Sequence, residues 1–317
     1  MNQGSDIIRG GQNARKWLEE NNYPYSDEIP LKASPYEFMD GGHYGLEMPV
    51  VNSLKILEQT IECLRKNGIN RIRFGETKGS FLLSDKEIRD MLALCRDNSY
   101  GMLFSIGPRP EYDRKAAFYR SEFGLEQGRH INNNDGIACA VEDALRLTSF
   151  GCRALIVYDI GVMRILNRMK KTGALPSDTL LATSTHSMVC NPMIAEIHVE
   201  NGAGNLVVLH DIGLPVLQEM RKVLKNNVSI SLPIDVYASK GGFIRYYEIP
   251  EIIQIAAPVM LKLGASAQAH PYDSVGQTII EQRVKNVLIG LEFLERSNLP
   301  LKMLNQNSSH WCIPKLR

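Results

Sequence analysis

The stretch Asn205-Leu206-Val207-Val208-Leu209-His210-Asp211, the helical pattern opened by Leu214-Pro215, and the run Leu232-Pro233-Ile234-Asp235-Val236-Tyr237 read together as one strand–helix–strand unit. A short apolar run bounded by turn signals marks a buried strand, and proline suits the first turn of the helix after it. The unit repeats in both directions along the chain. Similar runs stand at Tyr44–Met48, Asn70–Phe74, Gly101–Ile106, Arg153–Tyr158, Thr179–Thr183 and Pro258–Leu263, at a spacing of about 26 residues. Eight strands alternating with helices predict an α/β fold, a (β/α)8 TIM barrel. In that fold the chemistry sits where strands end and βα loops begin, so most polar residues can be set aside.

Composition agrees with a single large core. The chain has 317 residues, 44% hydrophobic and 22% charged, with a formal net charge of +1. A balance so near neutrality offers no electrostatic case for a nucleic-acid partner. No apolar run reaches the roughly 20 residues that a membrane helix needs, and the polar start lacks a signal-peptide core. The six cysteines include no C-x-x-C pair. Buried free thiols in a reducing cytoplasm are the expectation.

Residues 1–40 read as an N-terminal extension with one short helix at Asn13–Asn21, residues 41–296 as the barrel, and residues 297–317 as a tail without strong period. Ser84-Asp85-Lys86-Glu87 has the spacing of a capping box, in which serine accepts from the third helical amide and glutamate reaches back. The long insertion, residues 107–135, is expected to act as a lid over the mouth, bringing Arg109 or His130 to it, because loops of such length are commonly functional. A homo-oligomer is a further expectation.

Strand ends then supply the candidates. A run of valine, leucine and isoleucine that stops in Asp or His is conspicuous, since buried charge needs a partner or a ligand. Glu47, Asp159, His186, Asp211, Asp235 and Lys262 are the catalytic candidates. Asp159 and Asp211 are equally readable as N-caps of the helices that follow them. Glu47, His186, His210 and Asp235 make a candidate set for a divalent metal, although no H-x-x-x-H or H-E-x-x-H spacing is present. Lys262 interrupts the apolar eighth strand. An inward lysine there needs a counter-charge, which favours a bound substrate anion or an ion pair with Glu47 or Asp235 over a Schiff base.

Substrate-binding candidates are Arg73, Arg109, His210, Tyr237, Lys240, Gly241, Gly242, Arg245 and Glu248. The loop Lys240–Arg245 follows the seventh strand, where barrels often hold phosphate or carboxylate. A second glycine loop, Gly75–Ser80, lacks the spacing of a P-loop, so no nucleotide cofactor is expected.

Several segments resemble the collagenase-like peptidases, number thirty-two among the unassigned peptidase families. They are Asp159-Ile160-Gly161-Val162, Ser184…Asn191-Pro192, Asn205–Leu214 and Pro233–Tyr237. Gly107-Pro108-Arg109, Gly241–Glu251 and Ala257–Lys262 are similar to a bacterial branch labelled peptidase by similarity. The resemblance covers roughly residues 40–295 and implies a barrel; the family also includes enzymes of RNA and ubiquinone hydroxylation that carry an iron–sulfur cluster. This chain has Ser239–Arg245 where those relatives have a cysteine-bearing segment, so no cluster is expected.

The reading is therefore a cytoplasmic barrel enzyme using metal- or acid–base-assisted lyase, aldolase or isomerase chemistry on a small anionic metabolite. Peptide-bond hydrolysis is the alternative within enzymes. A non-catalytic binding or assembly subunit is the alternative outside them.

Overall fold

The computed structural model describes residues 12–26, 30–108, 130–224 and 228–315. Eight parallel strands close into a barrel in chain order. They are β1 (Tyr44–Pro49), β2 (Arg73–Gly75), β3 (Gly101–Ser105), β4 (Ala154–Ile156), β5 (Leu180–Ala182), β6 (Asn205–Val207), β7 (Ser229–Pro233) and β8 (Val259–Lys262). The closing seam pairs β1 with β8, from Tyr44 opposite Val259 to Glu47 opposite Lys262. The barrel is a (β/α)8 fold.

Helices cover the outside. After α1 (Gln12–Glu20), they are α2 (Leu54–Lys66), α3 (Asp85–Asp97), α4 (Asn134–Ser149), α5 (Ile160–Thr172), α6 (Pro192–Glu200), α7 (Leu214–Leu224), α8 (Ile249–Ala256) and α9 (Gln277–Arg296). Five of them start at a side-chain cap. Ser53, Ser84, Asn133, Asp159 and Asn191 accept from the third helical amide at the starts of α2 to α6. Gly173 ends α5 at φ +80°, a left-handed cap that glycine adopts without strain. The Ser84 box forms by half. Ser84 Oγ accepts from Glu87 N, but Glu87 Oε1 accepts from Leu54 N at 3.1 Å and so ties α3 to the start of α2.

The seventh strand lies earlier than the run Leu232–Tyr237 predicts. Ser229 and Ser231 belong to it, and both are buried. Inward serines interrupt the apolar run that marks a parallel strand, which hides its first half.

The tail and the segment before β1 close the N-terminal end. Leu304 N donates to Tyr44 O at 2.8 Å, and Met102 N donates to Cys312 O at 3.3 Å. Phe38, Met260, Leu304 and Trp311 form a small apolar cluster there. Gly101 is required by this packing: a Cβ would stand 1.6 Å from the Trp311 carbonyl oxygen. Among the described residues no helix is long and apolar enough to cross a membrane.

Candidate active site

The strand ends deliver Pro49, Ser105, Ile156, Val207, Pro233 and Lys262 to one cavity of about 130 Å³ at the C-terminal face. Thr183, directly after β5, joins this floor. The loops add Tyr158, His186, Met188, Leu209, His210, Val236, Tyr237, Lys240, Pro271 and Tyr272 as walls. Hydrocarbon and aromatic side chains share the lining with polar ones, which also include Thr77, Ser184, Thr185 and Asp235.

The polar centre is buried beneath that floor. Lys262 Nζ stands 3.0 Å from Glu47 Oε1, and Arg73 donates to Glu47 Oε2 from Nε at 2.9 Å and from Nη2 at 2.7 Å. Arg73 Nη2 also donates to Asn205 Oδ1 and Ser231 Oγ, each at 3.0 Å. Burial would raise the Glu47 pKa, but Lys262 and Arg73 together outweigh it and hold the carboxyl at about 2. Two cations therefore share one carboxylate. Arg73 is 0% exposed and lies deepest, whereas Lys262 is 12% exposed and lines the cavity. The excess positive charge faces the cavity through Lys262.

The floor hydroxyls are already engaged. Ser105 Oγ donates to Glu76 O at 2.7 Å; Thr183 Oγ1 donates to Val207 O at 3.2 Å and accepts from Val207 N at 2.8 Å. On the walls, His186 sits in a short turn begun by Ser184, with its ring centroid 6.4 Å from that of Tyr158. The His210 ring is 5.3 Å from Phe243. Tyr237 keeps a buried hydroxyl without a hydrogen-bond partner, and burial pushes its pKa up.

The structure brings Lys262, His186, His210, Asp235, Tyr237 and Lys240 to one cavity and places the other described candidates elsewhere. Asp159 caps α5 by accepting from Val162 N at 2.9 Å, and it also accepts from Ile131 N and stands 3.4 Å from His130 Nδ1. Its role is a cap and a tie to the chain before α4. Asp211 is exposed in a turn and does not line the cavity. Asp235 touches the cavity, but its carboxylate accepts from Ala265 N, Ser266 Oγ, Tyr246 Oη and Asn286 Nδ2, so it locks the β7 and β8 loops to α9.

Arg73 and Glu47 lie beneath the floor rather than on it. Arg245 does not join Lys240 and Lys262: it pairs with Glu248 at 2.6 Å and donates to His210 O at 3.3 Å, bracing two loops. Gly241 and Gly242 are exposed turn residues with φ +94° and +62°. In the loop Gly75–Ser80, backbone amides donate to the chain's own Glu76 carboxylate, from Lys78 N and from Gly79 N at 2.7 Å. Arg109 and residues 109–129 of the expected lid lie outside the described residues.

The four residues expected as metal ligands do not gather. Glu47 is held by its two cations and Asp235 by four donors, and among the described residues no three His, Cys, Asp or Glu side chains form a metal-holding group. The cysteines give no nucleophile on the floor either, since none lines the cavity and burial pushes Cys152 up to about 12.

Strand-end reasoning passed over Asn205, Ser231 and Thr183, which are neutral and lie inside strands or one residue past them. Their signal was polarity at positions where an apolar run is expected. Tyr158 and Tyr272 carried no signal beyond being aromatic.

No family model matches this sequence, and no curated protein matches it. Among solved structures the chain is similar to the YdjI aldolase from Escherichia coli K12, at 13% identity over 80% of this chain and 90% of that one, with a TM-score of 0.45. It is similar to a tryptophan synthase α2β2 complex from the hyperthermophile Pyrococcus furiosus, at 9% identity over 78% and 97%, with a TM-score of 0.46. The U32 peptidase Mk0906 matches at 12% identity over 66% and 72%, with a TM-score of 0.38. Likenesses at this level are those of the barrel and of nothing finer.

Proposed function

We propose that this protein is a barrel enzyme that binds a small anion over Lys262 and carries out acid–base chemistry of the lyase, aldolase or isomerase kind. The observation that supports it is the two-to-one ratio of cations to carboxylate at the barrel centre, with the less buried cation facing a ligand-sized cavity. Glu47 stays ionised and holds the ammonium in place, while Lys262 keeps hydrogens for a substrate oxygen. His186 and His210 stand on the walls, and imidazole exchanges protons near neutral pH. The mechanism needs no cysteine or serine nucleophile.

Peptide hydrolysis, attached to the family that the sequence resembles, asks for a groove that takes several residues of extended chain. A cavity of about 130 Å³ supports a compact ligand instead. The test is titration calorimetry with small carboxylates and phosphates, followed by proton NMR of any bound ligand in D2O. Lys262→Met should weaken anion binding by about tenfold or more, in line with a charged hydrogen bond. Carbon-bound hydrogen beside the ligand carbonyl should exchange for deuterium, more slowly in His186→Ala or His210→Ala. Peptide cleavage without exchange would transfer the protein to the hydrolases.

A further inference from the structure

Resting on that reading, we infer that the ligand is an unphosphorylated monocarboxylate with a compact apolar body, seated with its carboxylate down on Lys262. Three observations lead there.

The first is the count of donors at the floor. A phosphate dianion carries three terminal oxygens and needs several donors, as at a helix N-terminus or a glycine-rich turn. Here the floor is made of strand ends, and its hydroxyls are spent: Ser105 on Glu76 O, and Thr183 on Val207 O and N. The turn amides after β2 are spent on Glu76. Among the described strand-end residues of the floor, Lys262, with one ion-pair partner in Glu47, is the one that offers hydrogens upward. One ammonium matches one carboxylate.

The second is the material around the floor. Pro49, Ile156, Val207 and Pro233 share the strand-end floor with Lys262, and Leu209 and Val236, past those ends, line the same cavity. Against these side chains a sugar or polyol hydroxyl would lose its hydration without regaining a hydrogen bond, a cost of about 1–3 kcal/mol per group on the mutational scale. Thr77, Ser184, Thr185, His186 and His210, polar residues of the lining, come instead from the loops after the strands. A branched aliphatic or aromatic body gains from the same walls.

The third is size. The cavity of about 130 Å³ is close to the roughly 150 Å³ engineered apolar cavity that takes benzene. A body of about the size of a benzene ring fits that space.

The experiment is calorimetry on the unmodified protein with acetate, isobutyrate, isovalerate, benzoate and 2-naphthoate, beside inorganic phosphate and ribose 5-phosphate. Affinity should rise along the aliphatic acids by about fourfold per buried carbon, the fold-change equivalent to about 0.8 kcal/mol. It should hold for benzoate and fall for 2-naphthoate. Lys262→Met leaves Glu47 paired with Arg73, so charge stays balanced in the fold, and it should weaken benzoate at least tenfold with its melting transition retained. If phosphate or ribose 5-phosphate binds more tightly than benzoate and depends on Lys262, this inference is overturned while the anion-binding enzyme stands. If no carboxylate or phosphate binds, or if Lys262→Met binds them unchanged, both are overturned.

Discussion

Glu47 holds two cations, the buried Arg73 and Lys262 at the cavity floor. Glu47→Gln leaves the hydrogen-bonding shape but removes the charge, so Arg73 and Lys262 face one another without compensation. Breaking a buried ion pair from one side costs about 3–5 kcal/mol, and thermal or urea unfolding of Glu47→Gln should show a loss of that size. The pH dependence has a definite sign. The carboxyl is at about 2 when folded against 4.5 in its ordinary state, so its contribution is complete above 4.5 and is lost as pH falls towards 2. The melting temperature of the unmodified protein should drop across that interval, and Glu47→Gln should show a flatter profile there. An equally steep profile in the variant would show that another group governs acid unfolding. At this scale the sequence was partly legible. A lone glutamate and a lone lysine inside apolar runs announced themselves, and an ion pair between them was among the expected readings. Asp159, Asp211 and Arg245 announced themselves just as loudly, because a strand end followed by a helix attracts caps and loop braces as readily as catalytic groups.

The C-terminal tail is the element whose role composition and period left open, and it is the one that seals the base of the barrel. Its backbone bonds to β1 and β3 account for its fixed place, and periodicity has no means of registering single hydrogen bonds from an irregular chain. Gly101→Ala tests the seal directly. The added methyl meets the Trp311 carbonyl at 1.6 Å, so the tail must move or the strand must shift. Overpacking of this kind costs about 1–3 kcal/mol, read as a lowered melting temperature, while an unchanged one would mean that the tail yields freely. Acid should also act on the seal. His310 lies against Phe38 with ring centroids 4.7 Å apart, and burial, then the charge of Arg73, lowers its pKa to about 4. The unfolded chain takes up that proton near 6.5, whereas the folded protein resists it until about 4, so stability falls as pH drops through this window. In a Trp17→Phe background, Trp311 fluorescence during melting should report a declining midpoint from pH 6.5 to 4. His310→Phe should remove most of that decline; if the decline persists, the titrating group lies elsewhere.

Closure of the whole barrel depends on its weakest seam, and the registers show where that is. β7 and β8 share four paired positions, as do β8 and β1, whereas β5 and β6 share only Ala182 opposite Asn205. The period that predicted eight strands says nothing about how far each pairs with its neighbour, because pairing depends on where each inward polar residue falls. The short seam is completed by a side chain. Thr183 Oγ1 donates to Val207 O and accepts from Val207 N, so one hydroxyl does what a further backbone pair does elsewhere. Thr183→Val keeps the shape and removes both bonds, leaving a buried amide and a buried carbonyl each short of one partner. That should cost about 1–3 kcal/mol. The cost should also be localised. Hydrogen exchange should quicken at Val207 and across β5 and β6 while β1, β7 and β8 keep their protection, because local opening follows the thinnest set of contacts. The same seam launches the loops that carry His186 and His210. Loosening it should weaken benzoate binding at Lys262 without altering Lys262 itself. Uniform loss of protection around all eight strands would show instead that the barrel opens as one unit, with the threonine serving only as one bond among many.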